Sequence, residues 1–416
     1  MPYRKIAAEF NFSRRRFLYL AAGGLMGVAQ PSSAALLKLA NPCLDPKDTP
    51  RTDLESRAWE GINPADWWDS HTHIVGSGDG GSGIYISPDM NAPFLHPWQT
   101  LQHWFYANAA CTGAYGGQDI AFVNRLLALM AAMPVGAKVM LLALDKVYTT
   151  DGDFDPAHTA FFVPNGYAKS LAKRYPQYFE WVASIHPYRR DCVAELEQAA
   201  AGGARAIKWL PPVMGIDPQS PLCDNFYRAA AGLNMPIISH GGEEGAVHGA
   251  NRSEYGNPLR MQRALDSGVK VVIAHCASLG MEVDDQGRKV RSFDVFAGMM
   301  AQNQWRDRLY GDISSILLRN HDSEVIKTLL TETAWQTRLV NGSDYPLTGV
   351  LPLTSPAALC KSGFFPEDYI PALAALQDYH PFRFDFVLKR CLLWRGRRFA
   401  DSVFATRRVF ENKERA

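Results

Sequence analysis

Eight short apolar runs recur along the chain, and stretches with helical spacing alternate with them. The runs cover residues 65–73, 138–144, 180–186, 204–210, 236–240, 269–275, 309–313 and 338–341. Helical spacing marks 191–201, 225–233, 259–266, 293–308 and 323–335. A strand that is apolar along nearly its whole length is buried on both faces, which requires a parallel sheet covered by helices. Eight such units predict an α/β fold, a (β/α)8 TIM barrel; an open doubly wound sheet is the alternative.

A barrel of this kind needs about 250 residues. The chain has 416, and much of the surplus falls in two blocks, 76–117 after strand one and 346–381 after strand eight. Loops that follow strands surround the catalytic mouth of a barrel, so both insertions are expected there. The first begins GSGDGGSG and contains Gly78, Gly80 and Gly83 in dinucleotide-fingerprint spacing. A dinucleotide site needs a helix next. The sequence IYISPDMNAPF that follows is not helical, which excludes that reading and leaves a hinged lid or a plain surface loop. Residues 96–106 place Trp98, Leu101, Trp104 and Phe105 at roughly helical spacing, as an extra helix packed on the barrel or an aromatic wall over the mouth. Residues 382–394 read as the helix after strand eight.

The N-terminus reads differently. Arginines at 14–16 precede a short apolar stretch and then small residues up to Ala34, the layout of an export signal of the twin-arginine type. The expected division is a signal peptide over 1–34, a Pro- and Asp-rich linker over 35–64 and the barrel over 65–412. That division implies the twin-arginine export machinery as a partner and a periplasmic location. The longest apolar run is too short for a membrane span. A formal charge of +1 gives no electrostatic footprint for nucleic acid or an anionic membrane. The seven cysteines are scattered without a C-x-x-C pair and read mostly as small buried residues. Neither a Gly-x-Ser-x-Gly elbow nor a P-loop is present.

The ends of the strand runs carry the chemistry. Strand one ends in His71-Thr72-His73, strand four carries Lys208, strand five ends at His240, strand six at His275 and strand eight at Asp344. Alternate residues on a strand share a face, and the carboxyl ends of barrel strands converge on one mouth. Each residue alone has a bland explanation, as a polar cap or an ion-pair partner. Together they form a ring of groups able to bind a metal.

The set DSHTH, GGARAIKWLPPV, MPIISHGG, VVIAHCAS and NGSDYP resembles the amidohydrolase superfamily, and more narrowly its amidohydrolase 2 branch of TIM-barrel metal-dependent hydrolases. The resemblance spans residues 67–346. It implies that His71, His73, His240 and Asp344 bind a divalent metal, Zn²⁺ by default. It also implies that Asp344 handles protons and that His275 is a base or carbonyl polariser when one ion is bound. With two ions, His275 would be a ligand and Lys208 a carbamylated bridge; one ion is the expected number. Such an ion lowers the pKa of a water to about 7. The implied reaction is hydrolysis of an ester, lactone or amide in a small organic substrate. The alternative is decarboxylation of an aromatic or unsaturated acid by the same ring.

Four further residues are candidates for substrate contact. His186 ends strand three and Asp312 ends strand seven, each with a structural role as the alternative. Arg252 follows strand five, and Trp98 belongs to the aromatic segment. Whether the protein forms a homo-oligomer is left open by the sequence.

Overall fold

The computed structural model describes residues 40–113 and 117–411. The expected signal peptide lies outside these residues. Eight strands form the frame: β1 (Trp68–His73), β2 (Lys138–Leu142), β3 (Phe179–Val182), β4 (Ile207–Trp209), β5 (Ile237–His240), β6 (Val271–Ala274), β7 (Leu309–Asp312) and β8 (Leu339–Val340). They pair in parallel as β1-β2-β3 and as β4-β5-β6-β7-β8. Two seams close the ring. Ala183 bridges to Ile207, and Lys208 N donates to Ala183 O at 2.7 Å. On the other side Ser70 N donates to Asn341 O at 3.0 Å and Asp344 N to His71 O at 2.8 Å.

Strand residues alternate between two apolar environments, as a closed barrel requires. Val139, Leu141, Ile237, Val271, Ile273 and Leu339 pack in the cluster shared with the helices. Trp68, Met140, Leu142, Val182, Ile238, Val272 and Val340 form a separate interior cluster with Val409 and Phe410. On β1 the register shifts by one residue between Asp69 and Thr72, because Asp69 pairs with Val139 but Thr72 with Leu141. One extra residue reverses which face the following side chains take. Trp68 therefore fills the interior, while His71 and His73, an odd number of positions later, join the same inward face.

The covering helices include α1 (Asp53–Ala58), α2 (Pro97–Ala109), α3 (Gln118–Ala131) and α4 (Cys192–Ala201), then α5 (Asp224–Gly232), α6 (Ser292–Met300), α7 (Ser323–Thr331) and α8 (Pro381–Cys391). Helix α6 stops at Met300, short of the expected 308, and a 3-10 turn at Asn303–Trp305 leads into β7.

The 40–64 part of the expected linker is folded onto the barrel. Leu54, Ala58 and Ile62, spaced four apart, are buried in the main core. Arg383 binds the Glu55 carboxylate, and Arg390 Nε donates to Ala58 O at 2.8 Å. Cys43 is disulfide-bonded to Cys111, so these two are not the small buried thiols expected. Insertions are not confined to strands one and eight. The loop after β2 returns a short strand, Phe161–Phe162, that pairs antiparallel with Tyr85–Ile86 of the first insertion, and a hairpin at 281–291 follows β6. The glycine loop is pinned. Asp119 at the start of α3 accepts from Ser77 N at 2.9 Å, Gly78 N at 3.1 Å, Gly80 N at 2.9 Å and Ser82 Oγ at 2.6 Å. Four such bonds hold it as an ordered surface loop.

Candidate metal centre

His71 lies at the middle of the site and is fully buried. Its Nδ1 is 2.9 Å from Asp312 Oδ2 at the end of β7. The carboxylate accepts, so Nδ1 carries the proton and Nε2 keeps its lone pair. That Nε2 is 3.2 Å from His73 Nε2, 3.0 Å from Lys208 Nζ and 3.5 Å from Asp344 Oδ1. His73 Nε2 in turn is 3.2 Å from the same Asp344 oxygen. Ligand atoms of His71, His73 and Asp344 all lie within 4.8 Å of one another. His73 is the most exposed of the group, its side chain 33% accessible, so access to the centre runs along its edge.

Burial, reinforced by the Lys208 charge, lowers the His71 imidazole to about 3 and keeps it neutral at ordinary pH. Burial also pushes the Lys208 ammonium down. Asp344 is buried, which alone would raise it, but His275, His71 and His73 hold it well below the usual carboxylate range. Two imidazoles and an ionised carboxylate facing one point are a donor set that suits a divalent transition ion. The residues present therefore fit the metal that the resemblance in the sequence implies.

The other oxygen of Asp344 faces a different partner. Ser315 Oγ donates to Oδ2 at 2.5 Å, and His275 Nε2 lies 4.0 Å from it. His275 Nδ1 is 2.8 Å from Ser314 Oγ and 3.2 Å from Ser314 O. The Ser314 hydroxyl proton goes to Asp312 Oδ1, so Nδ1 of His275 is the donor to Ser314 and Nε2 is left to take or give a proton.

The backbone here is strained. His275, Cys276, Ala277, Ser315 and Asp344 have φ values of 57°, 48°, 49°, 54° and 62°, in the left-handed region that costs side-chain-bearing residues about 1–3 kcal/mol each. Asp312 offsets part of this cost by accepting His275 N at 2.9 Å and Ser314 N at 3.0 Å. Asp69 accepts both His71 N and Ser343 N at 2.9 Å, tying the ligand strand to the loop that carries Asp344. Burial raises its carboxyl to about 6.

The structure thus brings together His71, His73, Lys208, His275, Asp312 and Asp344. His240 packs edge-on against His275, ring centroids 5.3 Å apart, but its nitrogens are not within the 4.8 Å group. His186 is not available to substrate. It is fully buried, its Nε2 donates to Met214 O at 2.9 Å and its Nδ1 accepts Tyr188 N at 3.2 Å. Arg252 is exposed, and among the described residues its guanidinium has no hydrogen-bond or ion-pair partner that would bind it to the centre. Trp98 stands in the first turn of α2, and its side chain lies outside the described residues. Ser314, Ser315 and Glu244 carry contacts that none of the matching motifs includes, and Asp69 opens the motif DSHTH with no role assigned to it by the sequence; only closeness to the strand ends pointed to them.

One protein-family model, described as Amidohydrolase, matches residues 68–359. No curated protein matches the chain. Solved structures do. An uncharacterised TIM-barrel protein from Bordetella bronchiseptica is 16% identical, with 71% of this chain and 94% of that one covered and a TM-score of 0.46. A probable 2-pyrone-4,6-dicarboxylic acid hydrolase from Acinetobacter baumannii is 13% identical over 76% and 97% of the two chains, TM-score 0.43. The 5-carboxyvanillate decarboxylase of Sphingomonas paucimobilis is 12% identical over 75% and 97%, TM-score 0.40.

Proposed function

The chain is an enzyme of the amidohydrolase family, a metal-dependent family that includes hydrolases and decarboxylases, and from that premise we propose that it hydrolyses an ester, lactone or amide bond of a small organic substrate. The observation that carries this reading is the convergence of His71, His73 and Asp344 beside His275.

In this reading His71, His73 and Asp344 hold one divalent ion, zinc by the chemistry of the donors, with His240 as a further ligand. When bound, the ion supplies Lewis acidity toward a water and a substrate oxygen. The protein does the rest. Asp344, kept ionised, accepts the proton of the attacking water and returns it to the leaving group. Ser315 holds its Oδ2 so that this oxygen stays turned toward His275. His275, fixed through Nδ1, takes a proton at Nε2 and, once protonated there, donates it to the substrate oxygen. Lys208 Nζ lies 3.0 Å from His71 Nε2, whose lone pair the ion would take, so in this reading Lys208 gives up that contact when the ion binds and is not a bridge between two ions.

We further propose export by the twin-arginine route to the periplasm, directed by residues 1–34. A disulfide between Cys43 and Cys111 supports an oxidising compartment.

The test is metal content per chain by elemental mass spectrometry, for the purified protein and for His71→Ala. One ion per chain, lost in the variant, is expected. Two ions would overturn the one-metal assignment and make Lys208 and His275 ligands. No ion after reloading with Zn²⁺ or Mn²⁺ would overturn the reading as a whole. A panel of esters, lactones, amides and aromatic acids, with Asp344→Asn as the inactive control, separates the reactions. Release of CO₂ from an acid without turnover of any ester, lactone or amide would replace hydrolysis by decarboxylation.

A further inference from the structure

His240 presents an unusual account of its two ring nitrogens. Nε2 is buried and has no hydrogen-bond partner among the described residues. A buried polar atom without a partner is costly, so such an atom calls for a ligand. Nδ1 is 3.3 Å from Glu244 Oε2, and both side chains are more than nine-tenths buried. The carboxylate can only accept, so it selects the tautomer with the proton on Nδ1 and the lone pair on Nε2. The ring of His275 packs edge-on against His240, and Lys208 and Asp344 are close by.

Glu244 is itself held. Its Oε1 accepts from Ala246 N and Val247 N, which closes a turn in the loop after β5. That loop leaves the strand through Gly242, whose φ is +88° and whose N donates to Gly256 O at 2.7 Å. A Cβ there would stand 2.3 Å from Leu279 O, so the path of the loop depends on glycine. Helix α2 clasps the far side. Gln102 Nε2 donates to Gly245 O at 2.9 Å and Tyr106 Oη to Ala246 O at 3.0 Å. The inserted helix thus reaches the centre through two side chains, one loop and one carboxylate.

We propose that Glu244 is a positioning residue for the metal: it orients His240 as the ligand that completes the set of His71, His73 and Asp344, and helix α2 fixes Glu244 through Gln102 and Tyr106. The proposal rests on the metal-site reading above. Glu244 does not touch the ion or the substrate; it acts through His240.

The experiment is Zn²⁺ affinity, by competition with a chromophoric chelator, for the full protein, His240→Ala, Glu244→Gln and the double variant, with the visible spectrum of the Co²⁺-loaded forms as a second readout. Loss of the carboxylate partner of a ligand histidine weakens metal binding about 10- to 100-fold. Glu244→Gln is expected to fall in that range and to change the Co²⁺ spectrum. The double variant is expected to bind no more weakly than His240→Ala, because Glu244 has no effect without the histidine it orients. A general loss of packing would add in the double variant instead, and that result overturns the proposal. So does wild-type affinity in Glu244→Gln when His240→Ala is weakened. Should Glu244→Gln not fold, Tyr106→Phe carries the test: a smaller loss that vanishes in the His240→Ala background supports the clasp, and unchanged affinity overturns it. If His240→Ala binds as tightly as wild type, His240 is no ligand and this proposal falls alone. If wild type binds no metal, the metal-site reading falls with it.

Discussion

Asp312 Oδ2 lies 2.9 Å from Nδ1 of His71, and this one contact decides which nitrogen of His71 faces the centre. The two residues are 241 positions apart and sit at the ends of β1 and β7. Asp312 also holds His275 N and Ser314 N through its other oxygen. It is therefore the carboxylate on which both a ligand and a proton-handling histidine depend.

Replacing Asp312 by Asn keeps the shape and offers a side-chain amide that can donate to Nδ1. His71 then has reason to move its proton to Nε2, where no lone pair is left for an ion. Zn²⁺ affinity should fall about 10- to 100-fold. Chelator competition measures this directly. Wild-type affinity in a folded Asp312→Asn protein would show that His71 needs no such partner.

Gly342 is the second point of control. Its position lies where β8 passes β1, and a Cβ there would be 2.8 Å from His71 Cβ and 3.1 Å from Ser70 Oγ. Gly342→Ala should push the two strands apart at the ligand, at a cost of about 1–3 kcal/mol from overpacking. The expected signature is reduced metal content at only modestly lowered stability. Full metal content at saturating Zn²⁺ with unchanged affinity would mean that the seam absorbs the methyl group without moving His71.

How much of this was legible in the sequence follows from where each contact is made. Buried parallel strands are apolar on both faces, so 271–274 and 237–240 announce themselves, and a polar residue at their ends stands out. That exposes His240, His275 and Asp344 at once. The same signal misleads at His186, which also ends an apolar strand but has both ring nitrogens engaged by Met214 and Tyr188. A strand end says that a histidine is near the mouth and nothing about its partners. The extra residue in β1 that turns His71 and Trp68 to one face is invisible in DSHTH, because a bulge is set by the register against β2. Glu244 and Ser315 act across loops whose course depends on distant contacts, such as Tyr106 with Ala246. The linker reading failed because Pro and Asp, which mark its beginning, cap short helical turns there: Asp45 accepts Lys47 N and Pro46 opens a 3-10 turn.

The disulfide is predicted to matter for stability. Cys43 and Cys111 are 68 residues apart, and closing a loop of that length constrains the unfolded chain by about 4 kcal/mol in the chain-entropy account. It joins the N-terminal segment to the end of the insertion that carries α2. Cys43→Ser and Cys111→Ser should each lower the melting temperature, and the double variant should be no worse than either. Thermal melts with and without reductant check this. A melt that reductant does not change would show that the bond contributes nothing to the folded protein.

Acid should weaken the fold through His380. His380 is fully buried at the start of α8, where its Nε2 donates to Leu129 O at 2.9 Å and its Nδ1 accepts Arg383 N at 3.3 Å. Burial, with the charge of Arg383, lowers its imidazole to about 3. The unfolded chain would protonate the same ring near 6.5. Below that pH the unfolded state binds a proton that the folded state refuses, so the contribution of His380 is full above about pH 6.5 and is lost as pH falls toward 3. At pH 5 the loss from this one ring should be about 2 kcal/mol relative to pH 7. Asn at this position can still cap the helix and does not titrate. Urea unfolding at pH 7 and pH 5 should therefore show a smaller acid loss in His380→Asn than in the wild type, by about that amount. An equal loss in both proteins would mean that the folded state accepts the proton on His380 as readily as the unfolded chain does, which its contact with the Leu129 carbonyl and Arg383 N leaves no free nitrogen to do.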